Sequence, residues 1–199
     1  MFPLGSVLFP GGVLALRIFE PRYVRLIEDL PAHDNRFGVV LIRRGHEVGG
    51  GDERYDIGTI AEVVGVDEVG EGLYLLSAEG RDRIRVNRWL DDDPYPVAVI
   101  EERPQIGMSE GLRDAVHSAA DVRRQLVGVA VEMGADRRQL DVALPDDLER
   151  AAWALCDNSP IGPFDRQRLL EIDDPVERLA ALEADLVAKV EDLRRVMDG

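Results

Sequence analysis

Lysine is almost absent from the chain: of its 24 basic residues only Lys189 carries an ammonium group, and all the others are arginine. That lysine lies in Leu186-Val187-Ala188-Lys189-Val190-Glu191, with no glycine loop before it and no serine beyond Ser159. A P-loop sets a lysine against phosphate oxygens behind G-x-x-x-x-G, and a serine-lysine hydrolase needs a lysine amine to deprotonate its serine. Neither is encoded in these 199 residues. Cysteine is nearly absent too. With Cys156 alone, an internal disulfide and a thiolate metal cluster are excluded, and Trp153-Ala154-Leu155-Cys156 reads as a buried structural thiol. No apolar run approaches the roughly 20 residues of a membrane helix, and Met1 leads straight into structured pattern without the basic-then-apolar order of a signal peptide. A cytoplasmic protein without a membrane partner is expected. Basic charge is also scarce: the net charge is -15, which argues against nucleic acid as the main ligand, because phosphate binding requires a basic surface. The deficit is shared evenly. Residues 1–104 hold 12 arginines against 19 acids, and residues 105–199 hold 11 arginines and Lys189 against 20 acids.

What the chain does have is enough apolar material, 45%, for a real core in one domain or two packed subdomains. Up to about Arg103-Pro104 it is written as strands. Val39-Val40-Leu41-Ile42, Ile57 to Val66, Leu73-Tyr74-Leu75-Leu76, Ile84-Arg85-Val86 and Val97-Ala98-Val99-Ile100 are short β-branched runs separated by Gly, Asp and Pro. Arg81, Arg83 and Arg85 alternate with Asp82, Ile84 and Val86, the period of a strand with one wet face. One helix interrupts, from about Pro21 to Leu30, with Tyr23, Leu26, Ile27 and Leu30 as its apolar stripe. After Pro104 the period becomes helical. Leu112, Val116, Ala119, Leu126, Ala130 and Met133 line one helix, with Arg123 out of character, and Gly134 ends it. Further helices are expected from about Pro145 to Cys156, after Gly162-Pro163, and from Asp174-Pro175-Val176-Glu177, which has cap, proline and glutamate in order. The predicted architecture is α+β: a β-rich, barrel-like subdomain at 1–104 and a helical bundle at 105–199.

Three segments imitate catalytic or metal motifs. Gly107-Met108-Ser109-Glu110-Gly111 matches G-x-S-x-G, but a nucleophile elbow needs a strand before the serine and a histidine within reach. His117, the only downstream histidine, stands eight residues on, about 12 Å up the same helix. Ser109 reads instead as the helix cap. The stretch from Gly45 through His46 to Glu53 is glycine-rich but carries three carboxylates and no lysine, so it reads as a hairpin loop rather than a phosphate cradle. His46-Glu47 lacks a second histidine at zinc spacing. Asp91-Asp92-Asp93-Pro94 lacks the spacing of a calcium loop and reads as a solvated turn. No cofactor and no metal are expected.

The segment Phe2-Pro3-Leu4-Gly5-Ser6-Val7-Leu8-Phe9-Pro10-Gly11-Gly12-Val13-Leu14-Ala15-Leu16-Arg17-Ile18-Phe19-Glu20-Pro21-Arg22-Tyr23 reads as strand, turn, strand and helix start. It closely resembles the opening of the Lon protease amino-terminal domain family. Gly58-Thr59-Ile60-Ala61-Glu62-Val63, Gly72-Leu73-Tyr74 and Glu79-Gly80-Arg81-Asp82-Arg83-Ile84-Arg85-Val86 resemble the family's next block. Gln167-Arg168-Leu169-Leu170-Glu171-Ile172-Asp173 through Leu179 is similar to its helical block. The resemblance implies a PUA-like barrel followed by a helical bundle, together one domain that recognises clients. It also implies a non-catalytic module binding exposed apolar segments of unfolded or partly folded polypeptides, by groove burial or by strand addition at a sheet edge. The expected form is a stand-alone member without the ATPase and peptidase, or else a fragment cut before the ATPase, with an ATP-dependent protease acting in trans and weak homo-oligomerisation.

Arginines that flank Phe19-Glu20-Pro21 or end a strand in an acidic protein, and aromatics in a chain with few, are the candidate contacts: Arg17, Phe19, Arg22, Arg43, Tyr55 and Trp89. Tyr55 and Trp89 are expected at loop tips. The plainer account of the arginines is local pairing with Glu20, Glu28 or Asp56. Competing readings are a small-molecule sensor of the PUA-like type, as in cereblon, an adaptor to an ATP-dependent protease, RNA binding through the barrel, and a hydrolase using Ser109.

Overall fold

The computed structural model describes residues 1–45, 51–103, 110–136 and 142–198. The segment around His46 and Glu47, and Ser109, lie outside the described residues. The chain divides into two compact units, Met1–Gln105 and Ile106–Gly199.

The first unit contains a six-stranded sheet. Strands β1 (Phe2–Leu4), β2 (Val13–Ile18), β3 (Arg36–Arg44), β4 (Glu53–Gly70), β5 (Leu73–Trp89) and β6 (Ala98–Arg103) are joined by helix α1 (Pro21–Asp29) and a 3-10 turn at Leu30–His33. Pairing runs β1-β3-β4-β5-β2, with β6 also on β5. The β1–β3 pair is parallel, and the other pairs are antiparallel. Strand β5 pairs β2 along Tyr74–Glu79 and β6 along Arg83–Trp89, so one long strand serves two neighbours in succession. β4, at 18 residues, would span about 60 Å if flat. Three register shifts along its pairing with β5 bend it instead.

Two sequence expectations are corrected here. Leu73–Leu76 and Ile84–Val86 belong to one continuous strand, because Gly80 is not a break. A Cβ at Gly80 would stand 2.1 Å from the Phe9 carbonyl oxygen, so glycine is present for close approach. Arg83 does not lie on a wet face. Arg83 and Ile84 are both fully buried, so β5 is covered on both faces at that point. The regular alternation is lost just where β4 slips register between Thr59 and Ala61.

The core of the unit gathers Leu4, Leu14, Ile18, Leu26, Phe37 and Leu76. Within it Phe2 stacks on Tyr23 at 3.9 Å between ring centres. The buried Thr59 hydroxyl donates to the Leu8 carbonyl at 2.6 Å, tying the loop after β1 to β4.

The second unit is all helix: α2 (Leu112–Glu132), α3 (Leu148–Asp157), α4 (Pro163–Glu171) and α5 (Pro175–Asp198). The residue at the α2 N-cap is Gly111, without a side-chain cap bond. α2 packs along α5, where Leu179, Leu182 and Leu186 are fully buried. Buried arginines in this unit have structural partners. Arg123 is buried and donates to the Asn158 carbonyl. Arg178 lies 3.5 Å over the Trp153 ring and donates to the carbonyls of Ile172 and Asp173. Cys156 is wholly buried, and burial pushes its thiol up to about 12. Asp174 caps α5 through bonds from the amides of Val176 and Glu177. Among the described residues, no helix is long and apolar enough to cross a membrane.

Candidate functional site

The corner built by residues 2–23 starts from a glycine pair. Gly11 takes φ +77, donates to the Gly80 carbonyl at 2.8 Å, and the Gly80 amide returns a bond to the Gly12 carbonyl. Two residues face one across this ladder, a bulge with glycine at its left-handed position. It fixes the phase of β2. Gly12 is hydrogen-bonded to β5, so by alternation Leu14, Leu16 and Ile18 turn their backbone groups toward β5, and Val13, Ala15 and Arg17 turn theirs away. The side chains obey the same period: Leu14 and Ile18 are buried and Val13, Ala15 and Arg17 exposed.

At the end of β2 the chain passes through Phe19 and Glu20 into α1, with Pro21 at its first turn. The turn buries Tyr23 against Phe2. Burial pushes the Tyr23 phenol up to about 12, opposed by Arg22 and Arg54, so it is a neutral hydroxyl at physiological pH.

A cleft of about 170 Å³ opens there, lined by Phe2 and Leu4 of β1, the continuous run Ala15 to Glu20, and Tyr23. At roughly 30 Å³ per water it holds five or six waters or one bulky side chain. Its apolar wall is Phe2, Leu4, Ile18 and Tyr23, and two exposed groups stand at its mouth. Phe19 is 58% exposed. Arg17 is exposed and makes no ion pair with any described residue.

The six sequence candidates separate into three places. Arg17 and Phe19 line the cleft. Arg22 borders it but is not free, since it binds Glu20 at 3.1 Å and stands over the Tyr23 ring. Arg43, next to the last residue of β3, lies over Tyr55 at 4.6 Å, a pair apart from the cleft lining. Trp89, the last residue of β5, lies under Arg54 at 4.4 Å. Neither Tyr55 nor Trp89 is at a loop tip; both are half-buried in strands. Arg54 is itself clamped by Asp52 at 2.6 Å. Burial alone would raise the Asp52 carboxyl, but the bonds and charge of Arg54 hold it below its usual 3.8. Of the anticipated local pairs, Arg22 with Glu20 forms, whereas Glu28 pairs with Arg25, an arginine outside the candidate set.

Sequence reasoning missed a second hollow in the same unit, of about 320 Å³. Leu26, Leu30, Phe37, Ile60, Val97 and Ile100 make much of its lining, with His33, Arg36 and Tyr95 as polar groups. Tyr95 donates to Asp29 at 2.9 Å, and Arg36 is held by Glu62. The sequence signals only that these apolar residues belong to strands and a helix; the gap between them arises from how the strands pair. Among the described residues, no group of three or more His, Cys, Asp or Glu side chains is placed to hold a metal ion.

Comparison with known proteins agrees with this architecture. Lon protease 2 of Sorangium cellulosum is 28% identical over 95% of this chain and 24% of its own length. The Lon protease of Anaeromyxobacter dehalogenans is 38% identical over 48% of this chain and 12% of its own. The chain thus spans at most about a quarter of the length of these curated relatives. Among solved structures, a Lon N-terminal domain protein from Xanthomonas campestris matches with TM-score 0.66 and 28% identity, covering 92% of this chain and 95% of that one. The N-terminal domain of a Mycobacterium avium complex Lon protease shares the fold at TM-score 0.60 and 18% identity, over 96% and 97% of the two chains. The family model described as the ATP-dependent protease La (LON) substrate-binding domain matches residues 1–186, and the chain belongs to that family.

Proposed function

We propose that the chain is a recognition module that binds exposed apolar segments of unfolded or partly folded polypeptides and performs no chemistry on them. The observation that carries this reading is the cleft beside β2. An aromatic ring that is 58% exposed stands over an apolar wall, beside Arg17, which makes no ion pair with any described residue. A large apolar side chain presented to water at the rim of a hollow marks a binding surface. Kinship with substrate-binding domains supports polypeptide as the ligand class. The single lysine, Lys189, lies in helix α5 and supports the absence of ATPase and peptidase chemistry. The bound segments are then passed to an ATP-dependent protease. The test is a titration of a permanently unfolded, carboxymethylated protein carrying a fluorescent label. Saturable binding supports the proposal, and none at high micromolar concentration overturns it.

One observation favours a second reading, that of a small-molecule site. The hollow between α1, β3 and the segment leading into β6 measures about 320 Å³, at the lower end of the range for ligand pockets. An apolar dye that enters it and raises the unfolding temperature would support that reading.

A further inference from the structure

We infer that the client is held as an added β-strand on the open edge of β2, an inference that rests on the polypeptide-binding reading above. The cleft is lined by consecutive β2 residues, Ala15, Leu16, Arg17 and Ile18. Successive side chains of a strand point to opposite faces, so a hollow over a face meets every second residue, and only one running along an edge meets them all. The hollow therefore lies against the edge of β2. That edge is unpaired among the described residues: β2 pairs β5 alone. The bulge at Gly11 sets the phase so that the backbone groups of Val13, Ala15 and Arg17 turn away from β5, and Ala15 and Arg17 are among the residues that line the hollow.

Strand edges are ordinarily guarded by charge, proline, bulges or covering elements. β2 carries a bulge at its start and one charge, Arg17, with neither lysine nor proline in its six residues. An added strand would bond its main chain to these three residues, which makes recognition tolerant of sequence. Its alternate side chains would fall on Phe2, Leu4 and Tyr23 on one face and beside Val13, Ala15 and Arg17 on the other. The occupant that fits is an extended segment of another protein, apolar at every second position, polar between, with a carboxylate opposite Arg17. A second copy of this chain fits less well, because two bodies of net charge -15 repel.

The experiment uses a peptide of alternating isoleucine and serine with one central glutamate, about eight residues long. Two further versions are N-methylated, one at the isoleucines and one at the residues between them. In a strand these two sets of amides face opposite edges. Strand addition predicts that one version loses about tenfold in affinity for each hydrogen bond removed, while the other stays within about twofold of the parent. The set that matters reports whether the added strand is parallel or antiparallel. Amide exchange of Val13, Ala15 and Arg17 should slow when the parent peptide binds. Equal losses, or no loss, in both methylated versions would overturn strand addition while leaving polypeptide binding intact. So would failure of the parent peptide alongside a carboxymethylated protein that binds. Failure of both probes would overturn the underlying reading as well. A dimer of the free chain whose Val13, Ala15 and Arg17 amides are already protected would assign the edge to a second copy and overturn the inference.

Discussion

Replacing Phe19 with alanine should weaken client binding far more than it weakens the fold. A phenylalanine side chain has on the order of 200 Å² to bury, and Phe19 is 58% exposed in the free protein. A client that covers it completely removes roughly 115 Å² of apolar surface from water, about 3 kcal/mol at ~25 cal/mol/Å². That is a loss of about 100-fold in Kd, and half coverage gives about tenfold. The part of the ring already covered, roughly 85 Å², bounds the cost in stability at about 2 kcal/mol. The assay is fluorescence anisotropy with the labelled carboxymethylated protein, run beside urea unfolding so that only folded protein is compared. Phe164 of α4 supplies the control, since it is also 58% exposed. Phe164→Ala should leave Kd unchanged. If Phe19→Ala leaves Kd within about twofold of the parent while Phe164→Ala lowers affinity about tenfold, the cleft is not the binding surface.

Two further outcomes test the supports of the corner. A methyl group at Gly80 would sit 2.1 Å from the Phe9 carbonyl oxygen, so Gly80→Ala should cost about 1–3 kcal/mol by forcing backbone apart. Gly128→Ala, in open space on α2, should instead gain about 0.5–1 kcal/mol, and chemical unfolding of both variants measures the contrast. Asp52, held below its usual 3.8 by Arg54, contributes stability that is complete above its unfolded pKa. That contribution is lost as pH falls through the lower folded value, because the unfolded carboxyl takes up its proton first. Asp52→Asn should therefore flatten the acid limb of the stability profile below about pH 4, and an unchanged limb would remove the Asp52–Arg54 clamp from the account.

The sequence was most legible where a single local rule governs. The α1 start at Glu20-Pro21, the Asp174 cap and the helical stripe from Leu112 to Leu126 follow from periodicity and capping, and all form helices as read. It was least legible where pairing between distant strands decides. Gly80 looks like a strand divider until Phe9 is brought against it, and Arg83 looks solvated until both faces of β5 are covered.

The candidate site divides along the same line. Arg17 and Phe19, which line the cleft, stand out in the sequence because arginines in an acidic chain and aromatics in a chain with few are conspicuous. The wall behind them, Phe2, Leu4 and Tyr23, reads only as core, and nothing in a string of residues tells which strand edge is left open. The reading that places Trp89 and Tyr55 at loop tips fails. Each is instead half-buried under an arginine, Arg54 and Arg43 respectively, an arrangement that requires the β3, β4 and β5 register.

The claim that a polypeptide docks in the cleft beside β2 is tested most directly by crosslinking from within it. Cys156 is wholly buried, with its thiol pushed up to about 12, so a cysteine introduced at the surface is the sole reactive one. Benzophenone attached through Arg17→Cys should capture the labelled unfolded protein on illumination. The same group at Val187→Cys, 41% exposed on α5, should capture little. Equal capture from both positions, or capture from Val187→Cys alone, would contradict the account.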